Sequence, residues 1–81
     1  MLPRPLDKSK RYSDQKGYVL EYKPKVGNGT IRSHDDGLEI LFYTEDIKAG
    51  RQENIKPQAY VEYTIAYDQK RKMWLAIDVT G

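Results

Sequence analysis

The chain is 81 residues long, carries 14 basic and 12 acidic side chains for a net charge of +2, and contains no cysteine. That length supports one domain, and the missing thiols exclude disulfide staples, thiolate metal sites and cysteine nucleophiles. The charge is too mild for a protein that holds a polyanion by charge alone.

Residues 1–15 carry Pro3, Pro5 and the basic cluster Lys8, Lys10 and Arg11, and they read as a flexible basic arm. The same stretch lacks the apolar centre of a secretory signal. No run of about 18 apolar residues occurs anywhere in the chain, so no membrane-spanning helix is predicted and the expected setting is cytoplasmic. From Lys16 the texture changes. Gly17-Tyr18-Val19-Leu20-Glu21-Tyr22 predicts a first strand, stopped by Pro24. Lys25-Val26-Gly27-Asn28-Gly29 has the glycines of a tight turn or a close backbone approach, and Thr30-Ile31-Arg32-Ser33 predicts a short second strand. His34-Asp35-Asp36-Gly37 is a turn signal.

In the third strand Leu38, Ile40 and Phe42 are predicted to share one face, with Glu39, Leu41 and Tyr43 on the other. Thr44-Glu45-Asp46-Ile47 suits one helical turn with Thr44 as its N-cap. Residues 48–58, polar and holding Gly50 and Pro57, predict a long loop. A fourth strand is expected over 60–67, with Val61, Tyr63, Ile65 and Tyr67 on one side. A fifth follows over 73–79, with Met73, Leu75, Ile77 and Val79 alternating against Trp74, Ala76 and Asp78. Five short strands and no long amphipathic helix predict an all-β domain. A chain of this size buries only about 60% of the surface its unfolded form exposes, and closing the sheet into a barrel suits so small a core.

The order of these signals resembles a cold-shock domain, a five-stranded OB-fold barrel family that binds single-stranded nucleic acid. Lys16-Gly17-Tyr18-Val19 stands where that family has Lys-Gly-x-Val. Val26-Gly27-Asn28-Gly29-Thr30-Ile31 stands for its first RNA-binding motif, and Ile40-Leu41-Phe42-Tyr43-Thr44-Glu45 for its second. Ile47, Ile55, Val61-Glu62-Tyr63-Thr64-Ile65 and Ala76-Ile77-Asp78-Val79 fit the remaining apolar pattern, so the likeness spans residues 16–79. The interior is matched at Val19, Ile31, Ile40, Phe42, Ile47, Val61, Ile65 and Val79. The stacking rings are not: Glu21, Asn28, Thr30, Leu41 and Thr44 stand where the family carries aromatics. Tyr22 keeps a ring, and Tyr43 gains one at the family's histidine.

The resemblance implies an OB barrel over 16–81 and a non-enzymatic partner of single-stranded RNA or DNA. Tyr22, Tyr43 and Trp74 would stack on bases, while Lys16, Lys25, Arg32, Lys70, Arg71 and Lys72 would meet phosphate. Each has a plainer reading. Tyr43 suits a cross-strand pair, and Trp74 suits packing onto Ala66 across the hairpin. The 70–72 run suits a soluble tip, and the other cations suit a solvated sheet. The loss of rings also motivates an alternative, a barrel turned to protein contact through the same face. His34 beside Asp35 and Asp36 gives no tetrahedral or octahedral ligand set, so no metal is expected there. No nucleophile–base spacing and no phosphate loop with its lysine occurs, so neither a catalytic site nor a cofactor is expected.

Overall fold

Alternation of inward apolar and outward polar side chains builds the five strands of the computed structural model, which describes residues 7–50 and 52–81. In chain order they are β1 (Tyr12–Lys23), β2 (Asn28–Ser33), β3 (Glu39–Tyr43), β4 (Tyr60–Asp68) and β5 (Met73–Thr80). They close into a barrel in the order β1-β2-β3-β5-β4, with β1 returning to pair with β4. Every pairing is antiparallel except that of β3 with β5. This is a mixed five-stranded barrel of OB-like topology, consistent with OB folds in general. Short 3-10 turns over Thr44–Asp46 and Gln52–Asn54 interrupt the long connection from β3 to β4.

The barrel is filled by Val19, Ile31, Phe42, Ile47, Ile55, Val61, Tyr63, Ile65, Ala76 and Val79, with Tyr22, Ile40 and Trp74 packed against them. Ile40 is therefore only partly buried, whereas its companions in the expected interior are sealed. The two glycines of the 26–31 stretch have structural reasons of their own. Gly27 sits at φ +95°, a backbone region that side chains disfavour, and its carbonyl accepts the Thr44 N–H at 2.9 Å. Gly29 lies against the Phe42 ring, where an added Cβ would come within 2.7 Å of the ring carbon Cζ.

Three strand expectations are corrected. The first strand begins at Tyr12, not Gly17, because Tyr12 and Gln15 pair with Ile65 and Tyr63 across an irregularity at Asp14, whose φ is +60°. Of the stretch expected as an arm, residues 1–6 lie outside the described residues. Leu38 does not join Ile40 and Phe42: it precedes β3 and is 46% exposed. In β5 strict alternation fails at Asp78. There a φ of +52° and a shifted register against β4 insert one extra residue, so Ala76 and Val79 both reach the core while Asp78 stays exposed. A local propensity scan does not detect such a bulge, since it adds a residue without changing the residue types.

The cap of the 44–46 turn also differs from expectation. Tyr43 is the cap residue, and its N–H donates to the Asp46 carboxylate at 3.1 Å. The Thr44 hydroxyl is drawn instead to the Tyr22 hydroxyl, 3.0 Å away.

Candidate functional site

The outward positions of β1, β2 and β3 form rows across the sheet. Tyr18 faces Arg32, which faces Glu39; Glu21 faces Thr30, which faces Leu41; Lys23 faces Asn28, which faces Tyr43. Leu20 is the extra residue where the β1–β2 register shifts between Val19 and Glu21, and it is 37% exposed. The bulge lets Val19 and Tyr22 both turn toward the core while Tyr18 points out.

Tyr22 and Tyr43 are both engaged within the protein. The Tyr22 ring stacks on Phe42 with centroids 5.6 Å apart and planes 30° from parallel, and its hydroxyl is held by Thr44. The face of Tyr43 is covered by the Arg71 guanidinium, whose carbon lies 4.0 Å from the ring centroid. Arg71 is held there by the Asp68 carboxylate at 2.7 Å and Glu45 at 3.2 Å. The Arg71 side chain, through its hydrogen bond, lowers the Asp68 carboxyl from its ordinary value, assisted by the Arg71 N–H. The loop between β4 and β5 thus folds its arginine over the outer surface of β3. The Asp46 carboxyl under this cluster is raised by loss of water, against the pull of the Tyr43 N–H.

Trp74 packs against the core, edge-on to Tyr67 at 5.4 Å and tilted to Tyr12 at 6.2 Å. Its cross-strand partner is Tyr67, one residue from the expected Ala66, which pairs with Leu75. Lys8 rests over the Tyr67 ring at 4.7 Å. The remaining cations are dispersed. Lys16 lies opposite Glu62 at the β1–β4 seam, and Arg32 meets Glu39 at 3.3 Å. Lys25 is exposed in the β1–β2 turn, while Lys70 and Lys72 are exposed in the β4–β5 turn. The structure therefore brings Tyr43 together with Arg71, with Lys70 and Lys72 in the same turn and Tyr22 bonded to the neighbouring Thr44, whereas Lys16 and Arg32 each lie opposite a glutamate.

An exposed aromatic cluster lies elsewhere, at Tyr18, Tyr60 and His34. Tyr18 and Tyr60 are 43% and 46% exposed and meet edge to face at 5.6 Å across the β1–β4 ladder. The His34 ring lies 6.2 Å from Tyr18 on the other side. Sequence reasoning passed over Tyr60, although parity contains the signal: with Val61 and Val19 inward, Tyr60 and Tyr18 both point out. Placing them side by side needs the β1–β4 pairing, a contact between residues far apart in the chain. A surface of this kind on a small barrel is consistent with binding a nucleic acid or another ligand through its aromatic rings.

Among the described residues, no group of three or more His, Cys, Asp or Glu side chains is arranged to hold a metal ion. No described helix is long and apolar enough to cross a membrane. Comparison with models of known protein families gives no match, and comparison with curated proteins gives no relative.

Proposed function

We propose that this barrel is a non-enzymatic binding module of cold-shock-like descent whose ligand is single-stranded RNA or DNA. The observation that carries the reading is the Tyr18–Tyr60 pair, half-exposed at 5.6 Å with Arg32 on the neighbouring strand position. Every nucleobase has a face that stacks on a ring, and each stacked base contributes about 1–3 kcal/mol. Among the described residues Arg32 is held by an exposed pair with Glu39, a contact worth about 1 kcal/mol or less, so a phosphate readily competes for it. Lys16, Lys25, Lys70 and Lys72 supply further cations around the barrel. Tyr43 joins only if Arg71 leaves its ring, and Tyr22 and Trp74 support the fold behind the surface.

A titration of the protein with a short fluorescently labelled pyrimidine oligonucleotide, repeated across salt concentrations, tests this. Affinity is expected to fall as salt rises, and amide shifts are expected to cluster at Tyr18, Arg32, His34 and Tyr60. Salt-independent binding, or shifts confined to Lys8, Lys10 and Arg11, would refute it.

A second reading, contact with a protein, is favoured by exposed Leu20 beside Tyr18 and by exposed Val26 and Leu38, at 66% and 46%. It predicts no oligonucleotide binding at high micromolar concentration, and it predicts that replacing Leu20 with Ser abolishes capture of a partner that survives nuclease treatment.

A further inference from the structure

Among the described residues β3 and β5 are paired only at Leu41 and Leu75, and beyond β3 an isolated parallel bridge joins Ile47 to Val79. On the near side of Leu41 the two strands part, and a cavity of about 450 Å³ opens between them. Its walls are largely apolar: Leu38, Ile40 and Leu41 on one side, Met73 and Trp74 on the other, and Ile65 beneath. This size falls within the range of small-molecule sites, which favour barrel mouths.

Tyr63 also lines the cavity. The residue is only 3% exposed, and among the described residues its hydroxyl has no hydrogen-bond partner of acceptable geometry. Burial raises the Tyr63 pKa and outweighs the Ser33 side chain, another lining residue, whose weak hydrogen-bonding approach to the phenol lowers it. Asp36 and Asp35 push in the same direction as burial. At neutral pH the hydroxyl is therefore a protonated donor without a well-formed hydrogen bond. A buried polar group without a partner costs about 1–3 kcal/mol, which makes it an anchor for any acceptor that reaches it. Asp36 and Glu39 also line the cavity and disfavour an anionic occupant; Glu39 is paired with Arg32 at 3.3 Å, and Asp36 accepts the Leu38 N–H at 3.0 Å.

We infer that the cleft between β3 and β5 binds a neutral, mainly apolar small molecule whose carbonyl or hydroxyl oxygen accepts a hydrogen bond from Tyr63. The hydroxyl is sealed from water, so entry requires a side chain at the mouth to move. Of the lining residues, Leu38 is 46% exposed and Met73 carries a flexible thioether. The site is separate from the Tyr18–Tyr60 pair, and its occupant carries no phosphate.

Trp74 is the sole tryptophan and lines the cleft, so its emission reports occupancy directly. The probes are octan-2-one, its carboxylate analogue octanoate, and octane. Octan-2-one is expected to change Trp74 emission saturably and to shift the amides of Leu38, Ile40 and Met73. Octanoate is expected to bind at least tenfold more weakly. Tyr63→Phe keeps the ring and removes the orphan oxygen, so the variant is expected to be no less stable than the parent. It should bind octan-2-one about fivefold more weakly, the worth of one hydrogen bond, and octane equally well. Asp36→Asn is expected to narrow the gap between ketone and carboxylate. The inference is overturned if octan-2-one shows no saturable effect up to its solubility, if octanoate binds as well, or if Tyr63→Phe leaves ketone binding unchanged. Loss of oligonucleotide binding in the Tyr18→Ala variant leaves these outcomes untouched, so the two sites fail separately.

Discussion

Tyr43 on β3 and Tyr18 on β1 occupy outward strand positions of the same barrel, yet their surroundings have opposite characters. Around Tyr43 the protein answers its own ring: Arg71 lies on the face, and Asp68 and Glu45 hold Arg71 in place. Around Tyr18 the neighbours are another exposed tyrosine and a histidine, at 5.6 and 6.2 Å. An outward aromatic is thus no measure of a binding surface until the partners it already has are counted. The loop from β4 to β5 decides the matter, because it carries the cation to one tyrosine and leaves the other uncovered.

The largest expected effect removes the support beneath the first region. Phe42→Ala empties the centre of the barrel where Tyr22 stacks and Gly29 makes room, and about 3–5 kcal/mol of stability is expected to be lost. Urea unfolding followed by Trp74 fluorescence measures it. A loss under about 1 kcal/mol would mean that Phe42 is not the central packing residue its complete burial indicates.

A direct comparison comes next. Tyr18→Ala and Tyr60→Ala are each expected to weaken oligonucleotide binding by about 1–3 kcal/mol, roughly fivefold to 150-fold, with little change in unfolding midpoint. Tyr43→Ala is expected to change affinity less than about threefold, because its ring is already occupied. Equal losses at Tyr18 and Tyr43 would erase the distinction between the two regions.

Arg71→Gln sharpens it further. The guanidinium contributes a stacking contact and two ion pairs at the surface, where water screens them, so only a small lowering of the urea unfolding midpoint is expected. Uncovering Tyr43 offsets the lost charge in binding, so oligonucleotide affinity is expected to hold within about twofold. A fall of tenfold would instead make Arg71 a phosphate contact, as the basic run 70–72 first suggested.

How far the sequence foretold these regions follows from the range of the interactions involved. Phe42, Val61 and Ile65 are legible because period-two burial is a local pattern, and Val19 and Ile31 from the likeness to a family's interior; the strand order, with its parallel β3–β5 pair and its β1–β4 closure, rests on contacts between distant residues that no local pattern carries. The motif glycines were legible too, but Gly29 answers to the Phe42 ring and Gly27 to its own backbone, so they report on the barrel and not on a ligand. The cover over Tyr43 was hidden because it joins residues 43 and 71, and neither residue alone signals the other. The bulges at Leu20 and Asp78 shift side-chain phase without a distinctive residue type, which is why the alternation expected in β5 fails after Ile77. The orphan hydroxyl of Tyr63 was beyond reach for a related reason: an inward tyrosine in an alternating strand carries no mark of whether its oxygen finds a partner.

The smallest expected effect separates the regions by pH. In the folded protein Asp68 is lowered, chiefly by its side-chain bond to Arg71, whereas Asp46 is raised by lost hydration. A depressed carboxyl stabilises the fold above the ordinary aspartate value, and that contribution is lost as pH falls through its folded pKa. A raised carboxyl acts oppositely: the folded state takes up its proton first, so acidification relieves a cost that ionised Asp46 imposes at neutral pH. Descending from neutrality, Asp46 is therefore expected to titrate before the ordinary value of about 3.9 and Asp68 after it. The Tyr43 ring resonances should follow Asp68, because the loss of that carboxylate loosens Arg71 on the ring, while the Tyr60 ring does not follow Asp68. Carboxyl carbon and aromatic proton shifts recorded on one acid titration would show this order. If the Tyr43 and Tyr60 rings moved together, the anchored arginine would not be what distinguishes the two tyrosine surfaces.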